Sequence, residues 1–476
     1  MQRADFLAGL AGLSLAGCNS SATPSPSGLP WASLERSING RLVRPGDAGY
    51  VALALPYNLR YAAVLPAGIT LCESAADVSA SILWARRNGV PLTARSGGHS
   101  YAGYSCTTGL MIDVTRMKKF AFDPHTGVLT IGAGARNSDL YPALEKHNVA
   151  ITHGNCLSVG VAGFLLGGGI GLNMRRHGLA CDQLVSSEVV AADGGVRTVS
   201  AASNADVFWA CRGGGGGNFG INTTFSLQTF PVGMLTSFDL TWHNVNETLY
   251  FALGQAFESA PNTFGVEWDV IAPRSDGASI SVQSIGQLTG SPEELAQILA
   301  PAYAIAKPSG RIVHGSYWEA QRLLEQAGKP GYSNARSRFF IAPLEAGTVA
   351  TILSWLRRAP AGSSCSFTFF LTGDRVNAVS PSATAFVHRN SLSLGRINVS
   401  WDAKTSNTDI QRVLAWQTAF YDAIVPIAKG GVYQNFPDPA LTDWKTAYYG
   451  SNLPRLERVK ERVDPSHVFE FAQAIP

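Results

Sequence analysis

The chain has 476 residues, 46% of them hydrophobic and 15% charged. That suffices for a large core and suggests two or three domains. Its 37 basic and 34 acidic residues give a formal charge of +3, and no basic tract stands out, which speaks against a nucleic-acid partner. Forty-nine glycines and ten tryptophans suit a backbone that crowds a bound molecule and aromatic rings that line its pocket.

Residues 1–30 are set apart from the fold. Arg3 precedes an apolar stretch from Phe6 to Gly17, followed by the Ser/Pro/Thr-rich run Asn19 to Pro30. This pattern reads as an export signal leading into a tether. The apolar stretch is too short for an ordinary membrane-spanning helix. Leu15-Ala16-Gly17-Cys18 has the form of a lipobox, in which cleavage before Cys18 frees the thiol for a lipid anchor, the only expected link to a membrane. Arg3-Ala4-Asp5-Phe6-Leu7 resembles a twin-arginine signal whose second arginine is replaced by Ala4. The expected location is periplasmic or at the cell surface.

Ser74-Ala75-Ala76-Asp77 followed by Val78 to Arg87 predicts a capped helix. Val90 to Ala94 predicts a short strand delivering a Ser96-Gly97-Gly98-His99 loop. Strands over Leu110 to Val114 and Val128 to Ile131, then a helix over Asn137 to His147, argue for an α/β layer structure here. Gly154 to Gly171 is too rich in glycine for an ordinary core element. Strands resume at Val185 to Ala191 and Asn222 to Thr229. Beyond Pro231 the glycine clusters stop; Phe238 to Thr241, Gly265 to Ile271 and Ala278 to Gln287 alternate like sheet strands. Ser291 and Pro292 predict a helix over Pro292 to Ala300, and Ile410 to Val425 predicts a helix leading back to the first domain.

Gly215-Gly216-Gly217-Asn218-Phe219-Gly220 matches G-x-G-x-x-G. A Rossmann turn needs a strand before it and a helix after it, whereas Ala205 to Cys211 reads as a helix and Ile221 to Phe225 as a strand. The dinucleotide-fold reading is therefore rejected. No cysteine or histidine spacing suggests zinc, so no metal is expected. Most of Cys72, Cys106, Cys181, Cys211 and Cys365 read as small buried hydrophobes. Among the histidines, His153, His177, His314 and His388 read as structural residues.

Two nucleophilic side chains sit in matching runs of small residues. His99 lies in Arg95-Ser96-Gly97-Gly98-His99-Ser100-Tyr101, and Cys156 in Gly154-Asn155-Cys156-Leu157-Ser158-Val159-Gly160. Together they suggest a cofactor held by both, and so a redox enzyme. The blocks RSGGHSYAGYS (95–105), GNCLSVGVAGFLLGGGIG (154–171), GLACD (178–182), FWACRGGGGGNFGI (208–221) and the tail 448–476 carry a resemblance. In order and spacing they resemble the berberine bridge enzyme-like FAD-linked oxidases of the vanillyl-alcohol oxidase superfamily, from about Tyr57 to Pro476.

The resemblance implies an α+β fold: a two-part PCMH-type FAD-binding domain over 31–235 (core about 60–232), a substrate domain over 236–420 with an antiparallel sheet covered by helices, and a C-terminal segment over 421–476 returning to the first domain. It implies FAD bound covalently to His99 and Cys156. Main-chain N–H groups of Ser96, Gly97, Gly98 and His99, with those around Gly160, Gly163, Gly168, Gly169 and Gly171, are expected to cradle the pyrophosphate as anion nests. Ser100, Ser158 and Ile221 join the expected cofactor contacts, and Arg95 either adds charge or stabilises its loop. Val159 holds the family position that gates oxygen access, where valine goes with oxidases. Small-molecule substrate and O2 are the expected partners.

The proton acceptor is the departure from the pattern. Many members use the second tyrosine of Tyr-x-Asn-Tyr, but this chain has Tyr433-Gln434-Asn435-Phe436. The glutamate of alkaloid-type members has no counterpart in Asn377-Ala378-Val379. Tyr433, aided by Asn435, is the expected catalytic pair, with an unplaced tyrosine of the middle domain as the alternative. The expected function is an oxidase that moves hydride from a CH–OH group of a carbohydrate or hydroxylated secondary metabolite to flavin and then to O2, giving H2O2. A same-fold dehydrogenase and a catalytically silent surface-binding lipoprotein are the competing readings.

Overall fold

The computed structural model describes residues 28–272 and 279–476; the export signal, Cys18 and most of the tether lie outside them, as does Ala278. The first unit starts with a small sheet. Gly68–Leu71, Leu110–Asp113 and Leu92–Arg95 run parallel, and Arg41–Val43 adds an antiparallel edge. Helix Ala75–Arg87 makes the crossover. It starts where the Ser74 hydroxyl accepts the Asp77 N–H, and it buries Val78, Ile82 and Ala85; capping and a 3.6-residue apolar stripe together set its limits. Leu92–Arg95 then ends at the glycine loop that carries His99.

The second sheet of this unit is antiparallel throughout, in the order Phe120–Asp123, Val128–Gly132, Ile221–Gln228, Leu184–Val190, Val196–Ser200. The expected α/β alternation therefore describes only the small parallel sheet, and the whole is α+β. One apolar core joins both sheets with the end of the chain: Ile112, Leu129, Trp209 and Phe225 share it with Tyr448, Leu456 and Phe469.

The middle unit is a seven-stranded antiparallel sheet, ordered Ser309–Ser316, Met234–Trp242, Ser281–Leu288, Phe264–Ile271, Ser364–Leu371, Ser393–Trp401, Tyr332–Phe340. Side chains alternate across it. Val266, Trp268 and Val270 enter a core shared with helices Glu247–Glu258, Pro292–Tyr303, Ala346–Arg357 and Asn407–Ala428. Glu267 and Asp269 lie on the opposite face, which looks toward the first unit. Helix Pro292–Tyr303 has the predicted start: the Ser291 hydroxyl accepts the Glu294 N–H while the Glu294 carboxylate accepts the Ser291 N–H.

Two boundaries move. The expected division at 420/421 cuts the continuous helix Asn407–Ala428, whose Phe420, Ile424 and Ala428 all belong to the middle core. The apolar stripe holds it there until Lys429, where a left-handed backbone (φ +60°) ends the helix. Conversely Tyr317 and Trp318, within the expected substrate domain, bury themselves in the first core.

Candidate active site

A cavity of about 550 Å³ lies between the glycine loops of the first unit and the polar face of the seven-stranded sheet, within the size range of small-molecule and cofactor sites. Its wall includes Arg95, Ser96, Gly97, Gly98, His99, Ser100, Cys156, Val159, Gly160, Gly163, Gly171, Ile221, Tyr433 and Asn435. The helix Ala205–Ala210 precedes the 213–220 glycine loop and the strand Ile221–Gln228 follows it, the reverse of a Rossmann turn. Gly215, Gly216 and Gly217 nonetheless line the cavity.

The two loops carrying His99 and Cys156 touch through main chain. A Cβ on Gly97 would overlap the Gly160 nitrogen and stand 2.7 Å from its Cα; one on Gly160 would overlap the Gly97 nitrogen. Only glycine at both positions permits this crossing. It brings His99 and Cys156 to one side chain: the Ser158 hydroxyl lies 2.9 Å from His99 Nε2 and 3.4 Å from Cys156 Sγ. The His99 ring stacks on Tyr57 at 3.7 Å. Burial, then the Arg136 charge, pushes its pKa down to about 4, so the imidazole is neutral at physiological pH. A loop of the middle unit closes over this corner. Leu157 N–H donates to Gln326 O, Gln326 N–H donates to Asn155 O, and Gly328 packs so tightly that a Cβ there would overlap Ser158 Oγ and Cys156 Sγ.

The remaining expected residues divide. Arg95 donates to the carbonyls of Ser105, Leu53, Ala54 and Leu55, so its guanidinium ties together the loops behind its place on the wall. Gly168 and Gly169 sit behind the wall: a Cβ at the first would meet the Phe386 ring, and at the second Ala180 and Phe164. Their lack of side chain serves packing. The Tyr433 hydroxyl, expected as proton acceptor, accepts from the Gly169 N–H and from Asn435 Nδ2, both at 3.1 Å. Burial raises its pKa well above the ordinary phenol value. That hydroxyl holds the 168–170 turn and is poorly suited to accept a proton. The tyrosines on the wall, Tyr57, Tyr101, Tyr104, Tyr433, Tyr448 and Tyr449, come from the first unit and the tail, so no middle-domain tyrosine among the described residues fills the gap. His388 is buried and stacks on Phe339 at 4.5 Å, off the cavity wall, while Arg389 forks onto Asp182 at 2.6 and 2.8 Å.

Sequence reasoning missed Glu267, Phe370 and Arg396, which the middle sheet contributes to the wall. The signal was present in Val266-Glu267-Trp268-Asp269-Val270, where acids alternate with large apolar residues and therefore share the face away from the core.

The residues fit FAD. Among the described residues no protein acceptor engages the main-chain N–H groups of Gly97, Gly98 or His99, which leaves them for an anionic ligand. On the same wall, Gly163 has nothing within 4 Å of a Cβ position. The architecture is thus that of a flavin-binding oxidoreductase. Family profiles agree, one described as an FAD binding domain over residues 66–200 and one as berberine and berberine like over 432–476. The chain is 32% identical to the FAD-linked oxidoreductase YgaK of Bacillus subtilis over 92% of its own length and 97% of that protein. Among solved structures it resembles BBE-like 1 of Physcomitrella patens (TM-score 0.84, 28% identity, 94% and 98% of the two chains). It also resembles the glucooligosaccharide oxidase of Acremonium strictum, described with a 6-S-cysteinyl, 8α-N1-histidyl FAD (TM-score 0.82, 26% identity, 93% and 98%). The chain belongs to the berberine bridge enzyme-like FAD-linked oxidoreductases of the vanillyl-alcohol oxidase superfamily and is an enzyme.

Proposed function

We propose that the enzyme oxidises a CH–OH group of a carbohydrate, with FAD joined to His99 and Cys156 and O2 as the final acceptor, giving H2O2. When bound, FAD supplies the two-electron acceptor for the hydride. The observation that carries the reading is the convergence of His99 and Cys156 on the Ser158 hydroxyl at one end of the cavity. His99, uncharged at physiological pH, has a nitrogen lone pair to offer in a covalent bond. A flavin anchored at two points is retained without full enclosure, which leaves room beside the polar sheet face for a bulky polyol. The glucooligosaccharide oxidase named above supports both the linkage and the substrate class.

Acid precipitation tests the linkage. Wild-type protein is expected to give a yellow pellet with FAD mass on peptides containing His99 and Cys156. His99→Ala and Cys156→Ala each keep the other bond, and the double variant releases its flavin. A colourless wild-type pellet from flavin-replete protein sinks the covalent reading.

Val159 lines the cavity, with its carbonyl fixed by the Asn137 N–H. Val159→Ile adds one methylene where oxygen is proposed to enter. Reoxidation by O2 is expected to slow by roughly tenfold, about 1.4 kcal/mol in barrier, with anaerobic reduction unchanged. Stopped-flow measurement of the two half-reactions checks this; equal slowing of both overturns the oxygen-gate role.

A further inference from the structure

An alcohol oxidation needs a group that takes the hydroxyl proton, and the tyrosine that many relatives would use is Phe436 here. Two carboxylates line the cavity, Glu267 and Glu470. Glu470 is exposed, on the tail beside the 215–217 glycine loop. Glu267 lies on the sheet face, opposite Phe370 on the adjoining strand and 3.9 Å from Arg396. Its side chain is 19% exposed, and among the described residues no hydrogen bond occupies either oxygen. Its neighbour Asp269, by contrast, accepts from Thr368 Oγ1 at 2.7 Å. Glu267 is thus a half-buried carboxylate whose oxygens face the cofactor cavity free of protein donors.

Arg396 is placed to condition it. The guanidinium lies 3.9 Å from Glu267, 4.8 Å from the Phe436 ring and 5.0 Å from the Phe370 ring, and it donates to the Tyr101 hydroxyl at 3.2 Å. Phe436 thus contributes an aromatic face that seats the cation, in place of a phenol. The contact with Glu267 is too long for a hydrogen bond, so it offsets charge without occupying the oxygens.

We infer that Glu267 is the proton acceptor of the reaction and that Arg396, wedged between Phe370 and Phe436, is its positioning residue. The substrate O–H proton passes to a Glu267 carboxylate oxygen. The carbon-bound hydrogen leaves with its electron pair to the FAD of this family, and the C–O bond becomes a carbonyl. Burial pushes the Glu267 carboxyl up to about 7; Arg396 opposes this and Asp269 adds to it. The other titratable groups nearby are Tyr101 and Tyr57, around Arg396. Ile285 and Phe370, opposite Glu267 on the adjoining strands, are uncharged.

The inference rests on the oxidase reading above, and the test separates the two. In anaerobic stopped-flow with glucose and cello-oligosaccharides, Glu267→Gln is expected to keep its flavin and its bound-flavin spectrum while reduction slows by roughly 10²–10⁴-fold. The wild-type rate should fall as pH drops through about 7, the range in which the acceptor becomes protonated, and this acid limb should vanish in Glu267→Gln. Arg396→Met should move it to higher pH, because the carboxylate loses the cation that favours its charged form. Infrared titration of wild type against Glu267→Gln, which needs no substrate, should show a carboxyl band with the same midpoint. An ordinary acidic midpoint, a wild-type rate in Glu267→Gln, or an acid limb that Arg396→Met leaves in place overturns the inference. A wild type that no sugar reduces, with the infrared midpoint near neutrality, refutes the carbohydrate reading and leaves the poised carboxyl standing.

Discussion

Gly97→Ala is expected to abolish the covalent flavin attachment proposed above while leaving the sheets folded. The added methyl would overlap the Gly160 nitrogen and stand 2.7 Å from its Cα. Both obstacles are main chain, so no side-chain rotation relieves them and the two loops must part by about 1 Å. Overpacking of this kind costs about 1–3 kcal/mol where it relaxes, but the larger loss is geometric. His99 and Cys156 would no longer meet at Ser158, and a displacement of about 1 Å can cost on the order of 100-fold in a positioned reaction. The flavin-to-protein absorbance ratio after acid precipitation should collapse, with the far-ultraviolet circular dichroism of wild type. Gly98→Ala is the control. Its φ of +72° makes alanine strained, yet the nearest atom to its Cβ is Arg95 Cδ at 3.8 Å. It should cost only about 1–2 kcal/mol and keep its flavin. Full covalent occupancy in Gly97→Ala would show that the crossing is dispensable.

Lys460→Met should destabilise the protein by about 3–5 kcal/mol, as expected when one member of a buried ion pair is removed. Lys460 and Asp464 are both fully buried and 2.7 Å apart. The ammonium also donates to Asn218 O at 2.9 Å and Phe469 O at 2.8 Å, which uses all three protons. Asp464 in turn accepts the N–H groups of Val468 and Phe469. Methionine matches the length but leaves a buried carboxylate with no cation and two carbonyls with no donor. Adding Asp464→Leu should recover only part of the loss, since it orphans the two N–H groups. Urea unfolding of the single and double variants measures this. Because Asn218 belongs to the glycine loop and Phe469 to the tail, both on the cavity wall, Lys460→Met should also weaken flavin retention. A single variant within about 1 kcal/mol of wild type would show that water reaches the pair.

How much was legible in the sequence depended on whether a signal was local. Helices Ala75–Arg87 and Pro292–Tyr303 were readable because a serine cap and an apolar stripe lie in consecutive residues. The reversed order around the 213–220 loop was readable for the same reason. Strand Tyr332–Phe340 was not: YSNARSRFF carries two arginines and lacks a regular apolar alternation. Its charges are matched only by distant residues, Arg336 by Asp438 at 2.7 Å and Arg338 by the Tyr421 hydroxyl at 2.8 Å. The site divided in the same way. The motifs located the loops that carry His99 and Cys156, since glycine spacing is written along the chain. They could not show that Gly168 and Gly169 face Phe386 and Phe164, that Arg95 is consumed by carbonyls, or that Glu267 faces Arg396 across the middle sheet. The Phe386, Leu53–Leu55 and Arg396 contacts among them depend on a strand or loop from far away in sequence.

The shared core of the first unit also imposes an order on synthesis. The sheet and helices between Met234 and Ala428 come from nearly one uninterrupted run of chain, so this unit has most of its parts as soon as that run has left the ribosome. The flavin-holding unit begins earlier but finishes last: Leu456, Phe469 and Ile475 are part of the core that also contains Ile112 and Phe225. Domains tend to fold as units in the order they emerge, and here the earlier-starting one needs the 448–475 segment to complete its core. Closing the walls of the cofactor cavity therefore depends on residues 448–473, far along the chain from the glycine loops they complete.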